Sequence, residues 1–319
     1  LAGWKATNEP RRRLKQVPFD LPEEIDTGKV LQIAGTPDGR LVARAGSRVH
    51  ILDRSMRVLQ TVAGEYNNLI AFSDDSIFHV RHTDFATNDG EALHRSSYDG
   101  TFGAEYQFEG CSFYSPVLEP GPGGLLFCVM FEEDGDGVVQ GEQDQIIALD
   151  AQTLQLRHRF GLGLLNDANQ LAVAGNELYV CDTKNHRLQV FSLTGEHRRS
   201  IMGEWRSPQY LCFAKDRLYL VERDPEEEDD ADDDDDDEDE DTTEDTNPLQ
   251  GRRLLVLSLL GDILQVVTHP TDPKAMFKAI CCFDHKLLAC YHYYTVNHNA
   301  GIHEMTHVKK YGILALQGL

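Results

Sequence analysis

Long apolar runs are missing from this 319-residue chain. No stretch approaches the roughly 18 to 20 uncharged apolar residues that a membrane span requires, and the N-terminus lacks the charged-then-apolar pattern of a signal peptide. No Asn-x-Ser/Thr glycosylation acceptor occurs. CxxC spacing is absent too, and Cys111, Cys128, Cys181, Cys212, Cys281, Cys282 and Cys290 make an odd count. Small buried thiols in a reducing compartment account for these cysteines best. A monomer in the cytosol or nucleus is expected. The chain opens on Leu1 instead of Met, which leaves room for an upstream segment and any address or domain it carries.

Sustained 3.6-residue periodicity is also scarce. Short β-rich runs recur between Gly or Asp turns, which is the punctuation of an all-β chain. The formal net charge of −23 is concentrated in one tract, residues 224–245, which holds 18 acidic residues and no basic one. A polyanion of this density cannot bury itself, so a disordered insertion is expected there. The remainder of the chain, at a net charge of −5, is ordinary.

The clearest repeat runs from Leu171 to Gly203, LAVAGNELYVCDTKNHRLQVFSLTGEHRRSIMG. An apolar strand ends in Asp182, passes through an Asn185-His186-Arg187 turn and continues into a Val190-Phe191 strand. This unit resembles the NHL repeat. A carboxylate or amide there can accept backbone N–H bonds in the tight turn, and Arg187 can bridge to a neighbouring carboxylate. Weaker copies flank it. The first spans Val30 to Gly64, the second Asn67 to Gly110, and the third Tyr114 to Gly161. The fifth joins YLCFAKDRLYLVE to RRLLVLSLLGDILQVV, and the sixth joins AICCFDHKLLACYHYY to GILALQ. Third strands are expected to end near Asp53, Tyr98, Asp150, Ser192, Ser258 and Leu316. The resemblance implies a six-bladed β-propeller of four-stranded antiparallel blades over residues 28–319, because such blades bury their faces only against neighbours in a closed ring. Residues 1–27 read as an N-terminal arm; the outer strand that the last blade lacks after Leu316 is either supplied by Lys15 to Phe19 or lost by truncation, two explanations of equal weight.

In a propeller, loops joining second to third strands and loops between blades emerge on one face. The insertions HTDFATNDGEA, EEDGDGVVQGEQD, the acidic tract and the segment Thr295 to Lys310 all fall there. Loops elaborated on one side of a rigid scaffold point to recognition. Asp182, Asn185, His186 and Arg187 are therefore face candidates for binding a protein, above all one with a basic segment.

Other chemistry is weaker. His303-Glu304-Met305-Thr306-His307 matches the HExxH pattern, but that chemistry needs a helix and a third ligand, and the 12 residues after His307 contain no His, Asp, Glu or Cys. Glu132, Asp134 and Asp136-Gly137 approximate a calcium loop, with Gln143 where the bidentate Glu belongs. The adjacent Cys281 and Cys282 should point to opposite strand faces. Nucleic acid is disfavoured because the acidic tract would repel phosphates from the elaborated face; the one basic cluster, Arg11, Arg12, Arg13 and Lys15, lies outside the blades. The reading is a non-catalytic binding scaffold. Its rival follows from the related gluconolactonase and paraoxonase propellers, which implies a metal-dependent lactonase-like hydrolase with Asn166-Asp167 or Asn67-Asn68 near the metal.

Overall fold

The computed structural model describes residues 14–26, 30–36, 38–63, 70–72, 76–82, 91–99, 101–107, 111–112, 118–121, 123–132, 144–222, 253–269, 275–297 and 306–317. The short β1 (Lys15–Val17) precedes blade 1, which comprises β2 (Val30–Gly35), β3 (Leu41–Ala45), β4 (Arg48–Leu52) and β5 (Val58–Ala63). Blade 2 contains β6 (Ile70–Phe72), β7 (Ser76–His82), β8 (Glu91–Ser97) and β9 (Phe102–Gln107). Blade 3 has a split inner strand, β10 (Cys111–Ser112) and β11 (Leu118–Gly121), followed by β12 (Leu125–Glu132), β13 (Asp144–Asp150) and β14 (Leu156–Leu165). Blade 4 is β15 (Ala168–Ala174), β16 (Glu177–Asp182), β17 (Arg187–Ser192) and β18 (His197–Met202). Blade 5 follows with β19 (Pro208–Ala214), β20 (Arg217–Glu222), β21 (Leu254–Leu257) and β22 (Ile263–Val267), and blade 6 with β23 (Met276–Phe283), β24 (Lys286–Asn297) and β25 (Thr306–Gln317). The sheets are antiparallel, and together they form a six-bladed β-propeller. Among the described residues no helix is long and apolar enough to cross a membrane.

Period-two alternation explains the packing. In β16, Leu178 and Val180 face blade 3, whereas Tyr179 and Cys181 face blade 5. Every blade is thus apolar on both sides, and each neighbouring pair shares a core. Val42, Ile51 and Ile77 fill the junction of blades 1 and 2; Phe127, Ile146 and Phe191 fill that of blades 3 and 4. A sheet buried on both faces reads as a nearly continuous hydrophobic run, as in LLFCVMF.

The third strands stop on residues that cap the following turn. Asp53 Oδ1 accepts the Arg57 N–H (3.0 Å), Asp150 Oδ1 that of Thr153 (2.9 Å), Ser192 Oγ that of Glu196 (3.0 Å) and Ser258 Oγ that of Asp262 (3.0 Å). Blade 2 uses Asp99, which accepts the Thr101 N–H at 2.9 Å. Two of these turns place a glycine at positive φ, Gly195 at 91° and Gly261 at 94°, and a Cβ on Gly195 would lie 2.7 Å from the Phe160 ring.

The seam of the ring lies in blade 6. β1 pairs antiparallel with β25, Lys15 opposite Gln317 and Val17 opposite Ala315, so the blade takes its outer strand from the N-terminal segment. That segment also enters the core. Leu14 is buried between blades 5 and 6, and Leu21 and Ile25 are buried between blades 6 and 1. Gln265 holds Leu14 from both sides, accepting its N–H at 2.8 Å and donating to its carbonyl at 3.3 Å.

Two sequence expectations need correction. The segment Thr295 to Lys310 is not all loop: Thr295 pairs with Val308 and Asn297 with Thr306, which lengthens the β24–β25 hairpin past the blade. The inner edge of blade 3 begins at Cys111, ahead of Tyr114, and its two pieces both pair with β12. Pro120 in β11 has no N–H to donate, which suits an inner edge with no further strand beside it.

Candidate functional site

The ends of second strands and the starts of third strands are best described where blades 3, 4 and 5 meet. Asp182 ends β16, and its side chain is 0% exposed. Four donors converge on its carboxylate. Oδ1 accepts the Asn166 N–H (2.8 Å) and the Asn185 amide (2.9 Å); Oδ2 accepts Arg187 Nε (2.6 Å) and Gln189 Nε2 (3.2 Å). Arg187 also donates to the Leu164 carbonyl at 3.1 Å. The carboxylate is spent on tying the turn of blade 4 to the loop arriving from blade 3.

The other side of the turn is tied to blade 5. His186, at a φ of 53°, accepts the Ser207 N–H on Nδ1 at 3.0 Å, so its proton sits on Nε2, and Thr183 Oγ1 donates to the Pro208 carbonyl at 2.8 Å. Of the four face candidates, Asp182 is therefore structural and out of a partner's reach. Lys184 and His186 are exposed, while Asn185 and Arg187 are partly so.

Blade 5 repeats the device with different residues. Glu222 ends β20 with a side chain 0% exposed, and Arg253, 12% exposed, stands just before β21. Arg253 Nε and Nη2 grip the two carboxylate oxygens, Nη2 at 2.9 Å, and Nη2 also reaches the Glu204 carbonyl at 2.8 Å. Glu222 also accepts the Arg206 N–H at 3.2 Å. The correspondence with Asp182, Arg187, Asn166 and Leu164 holds in every role. In blade 4 four residues separate the carboxylate from its arginine; in blade 5 thirty do, and those thirty include the acidic tract. Residues 223–252 themselves lie outside the described residues. The sequence signal that pairs Glu222 with Arg253 was present, since LYVCD followed by RLQVFS matches LYLVE followed by RLLVLS.

Asp144, at the head of β13, was not singled out from the sequence. The residue is 1% exposed; one oxygen accepts the Ala168 N–H, and among the described residues Oδ1 has no hydrogen-bonding partner. Burial pushes its carboxyl up to about 6; the negative charges of Asp167 and Asp182 add to this, against the pull of the Ala168 N–H and Lys184. The unfolded carboxyl titrates near 3.8, so between these values the native state keeps a proton that the unfolded chain has lost. The resulting stability is complete below about pH 4 and is lost as the pH rises through about 6. Asp144→Asn, which removes the charge, should therefore match wild type in acid and exceed it by about 1 to 3 kcal/mol at pH 7.5. Denaturant midpoints across that range check this; a pH-independent difference would mean that the carboxylate is solvated.

Asn166 and Asp167, the pair offered for a lactonase-like metal, contribute backbone here: their carbonyls accept the N–H groups of Lys184 and Thr183, each at 3.2 Å. Asn67-Asn68, Asp134 and Asp136 lie outside the described residues, and Glu132 is described only in its strand position. Of the HExxH string, His303 to Met305 lie outside as well, whereas Thr306 and His307 begin a β-strand, so the helix that motif requires does not run through His307. Among the described residues, no group of three or more His, Cys, Asp or Glu side chains is arranged to hold a metal ion.

An NHL repeat family model matches residues 165–191, the stretch from the last residue of β14 to Phe191 in β17. No curated protein matches the chain. Solved structures share the fold. Virginiamycin B lyase of Staphylococcus aureus superposes with a TM-score of 0.53 at 11% identity, over 93% of this chain and 87% of that one. A luciferin-regenerating enzyme gives a TM-score of 0.54 at 12% identity, over 92% and 93%. A protein of unknown function from Bacteroides caccae gives 0.52 at 12%, over 80% and 86%. Fold alone is common to them, and one fold serves binders and enzymes alike.

Proposed function

We propose that this chain is a non-catalytic NHL-like propeller scaffold that binds a protein partner through the loops of its elaborated face, with the acidic insertion attracting a basic segment of that partner. The observation that carries this reading is the mount of the insertion. Thirty residues, most of them acidic, separate Glu222 from Arg253 in the sequence, and those two residues are locked together by a buried, two-pronged ion pair. A stem locked in this way fixes the two ends between which the acidic residues run without loosening the strands of blade 5 that carry them. Lengthening a loop costs little, since closure entropy grows only logarithmically with its length. The charge speeds encounter with a basic partner and loses most of that effect when 1 M salt shortens the Debye length to about 3 Å.

Deleting residues 224–245 tests the reading. The melting transition should stay where it is, while partner affinity falls and ceases to depend strongly on salt. Recovery of the same partners with and without the tract would reduce it to a solubilising spacer, and unfolding of the deletion variant would show that it is part of the fold.

A metal-dependent lactonase-like hydrolase is the second reading. Asp144 favours it, because a buried carboxyl with one unsatisfied oxygen and an elevated pKa is the kind of group that catalytic sites employ. The names of two structural neighbours, a lyase and a luciferin-regenerating enzyme, keep catalysis within the range of this fold. Stoichiometric calcium in the purified protein, together with lactone turnover that a chelator abolishes, would replace the scaffold reading by this one.

A further inference from the structure

Six cysteines have described side chains, and they fall into two groups. Cys128, Cys181, Cys281 and Cys290 are buried, and burial raises all four thiols, Cys290 to about 12. Such groups stay protonated and inert. Cys212 and Cys282 differ: both are only half-buried, and their sulfurs lie 3.8 Å apart.

The two belong to different blades. Cys212 sits on β19, the inner strand of blade 5, and Cys282 on β23, the inner strand of blade 6. Both turn toward the junction of these blades, beside Tyr210, Ala214 and Ile280. Tyr219 is the cross-strand neighbour of Cys212, and after burial its phenol is raised further by both thiols, which places it alongside the pair. On the far side, β2 backs the Cys282 backbone so closely that a Cβ on Gly35 would lie 2.3 Å from the Cys282 carbonyl oxygen. The backbone of Cys282 is thus held in place, and closing the gap falls to side-chain rotation. A disulfide needs its sulfurs at about 2.0 Å, so the pair must approach by a little under 2 Å, about the length of one Cβ–S bond.

We propose that Cys212 and Cys282 form a redox-sensitive disulfide that clasps blade 5 to blade 6, with a low-molecular-weight disulfide such as oxidised glutathione as the oxidant. The thiolate of one cysteine attacks a sulfur of the small disulfide, forming a mixed disulfide and expelling one small thiolate, which takes up the proton. The second cysteine then loses its proton, attacks the protein sulfur of the mixed disulfide and expels the other small thiolate. The protein gives up two electrons and two protons, and the oxidant leaves as two thiols. The bond closes a loop from residue 212 to residue 282 that contains three strands of blade 5 and the whole acidic insertion. It also braces blade 5 against blade 6, the blade at which the ring closes through the pairing of β1 with β25. The vicinal alternative, Cys281 with Cys282, is disfavoured by the same geometry, because Cys281 faces blade 1 while Cys282 faces blade 5.

Native protein equilibrated in a series of glutathione redox buffers, quenched by alkylation and mapped by mass spectrometry, tests the assignment. The expected product is one cross-linked peptide joining Cys212 to Cys282, with Cys128, Cys181, Cys281 and Cys290 recovered alkylated after unfolding. Oxidised wild type should melt roughly 5 to 10 °C above the reduced form, and this difference should vanish in Cys212→Ser and Cys282→Ser. A Cys281–Cys282 link, a persistent glutathione adduct on either cysteine, or complete alkylation of both after oxidising equilibration would overturn the proposal. The wild-type peptide map decides the matter even if one of the variants fails to fold.

Discussion

Arg253→Ala should lower stability by about 3 to 5 kcal/mol, the range found when one partner of a buried ion pair is removed. The reason is the group left behind. Glu222, 0% exposed, would lose the guanidinium that grips both of its oxygens, and the Glu204 carbonyl would lose the Arg253 donor. A shift of this size is a large part of an ordinary domain's stability and should lower the melting temperature by roughly 10 °C. Lysine at 253 would restore the charge without the two-pronged grip or the third bond, so Arg253→Lys should recover only part of the loss. Lys184→Ala, exposed on the same face, should stay within about 0.5 kcal/mol of wild type. A thermal or urea midpoint for Arg253→Ala equal to wild type would show that the stem is solvated and that the mount of the acidic tract is loose.

Asp182→Ala should cost about 3 kcal/mol, because four donors lose their acceptor at once and the side chain of Gln189 lies in a residue only 2% exposed. Arg187→Ala should cost less, about 1 to 2 kcal/mol, since the arginine is 29% exposed and Asp182 retains three other donors. Asp182→Asn is the sharper test. All four partners donate, so the amide nitrogen of an asparagine meets donors on whichever side it points. It should therefore cost nearly as much as alanine. Urea denaturation of the three variants checks the order, and a larger loss for Arg187→Ala than for Asp182→Ala would assign the turn to the arginine's bonds to backbone.

Blade order and strand boundaries were legible from local chemistry. A third strand ending in Asp53, Asp150, Ser192 or Ser258 needs a side-chain oxygen to accept an N–H three or four residues on, and that requirement is written within one turn. Apolar runs such as LLFCVMF and LYVCD mark strands buried on both faces for the same local reason. The long β24–β25 hairpin was missed because Thr295 to Asn297 and Thr306 to Lys310 are polar enough to read as loop, and their pairing depends on the hairpin extending beyond the blade.

The site divided along a similar line. Asp182 and Arg187 stand five residues apart, and their pairing could be anticipated; Glu222 and Arg253 carry the same interaction across an insertion that splits the matching pattern LYLVE and RLLVLS into two distant halves. What the sequence by itself determined about this protein is the all-β repeat, the blade that matches the NHL model and the place where the negative charge gathers, because turn capping, period-two alternation and charge density act over a few residues. Only the tertiary structure decided that Asp182 is saturated and inaccessible, that Asp144 Oδ1 has no hydrogen-bonding partner among the described residues, that Lys15 to Val17 is the strand completing the last blade and that Cys212 meets Cys282. Burial and contact between residues 70 to 300 positions apart arise when the ring closes and sets the inner strands side by side, and no local pattern encodes that approach.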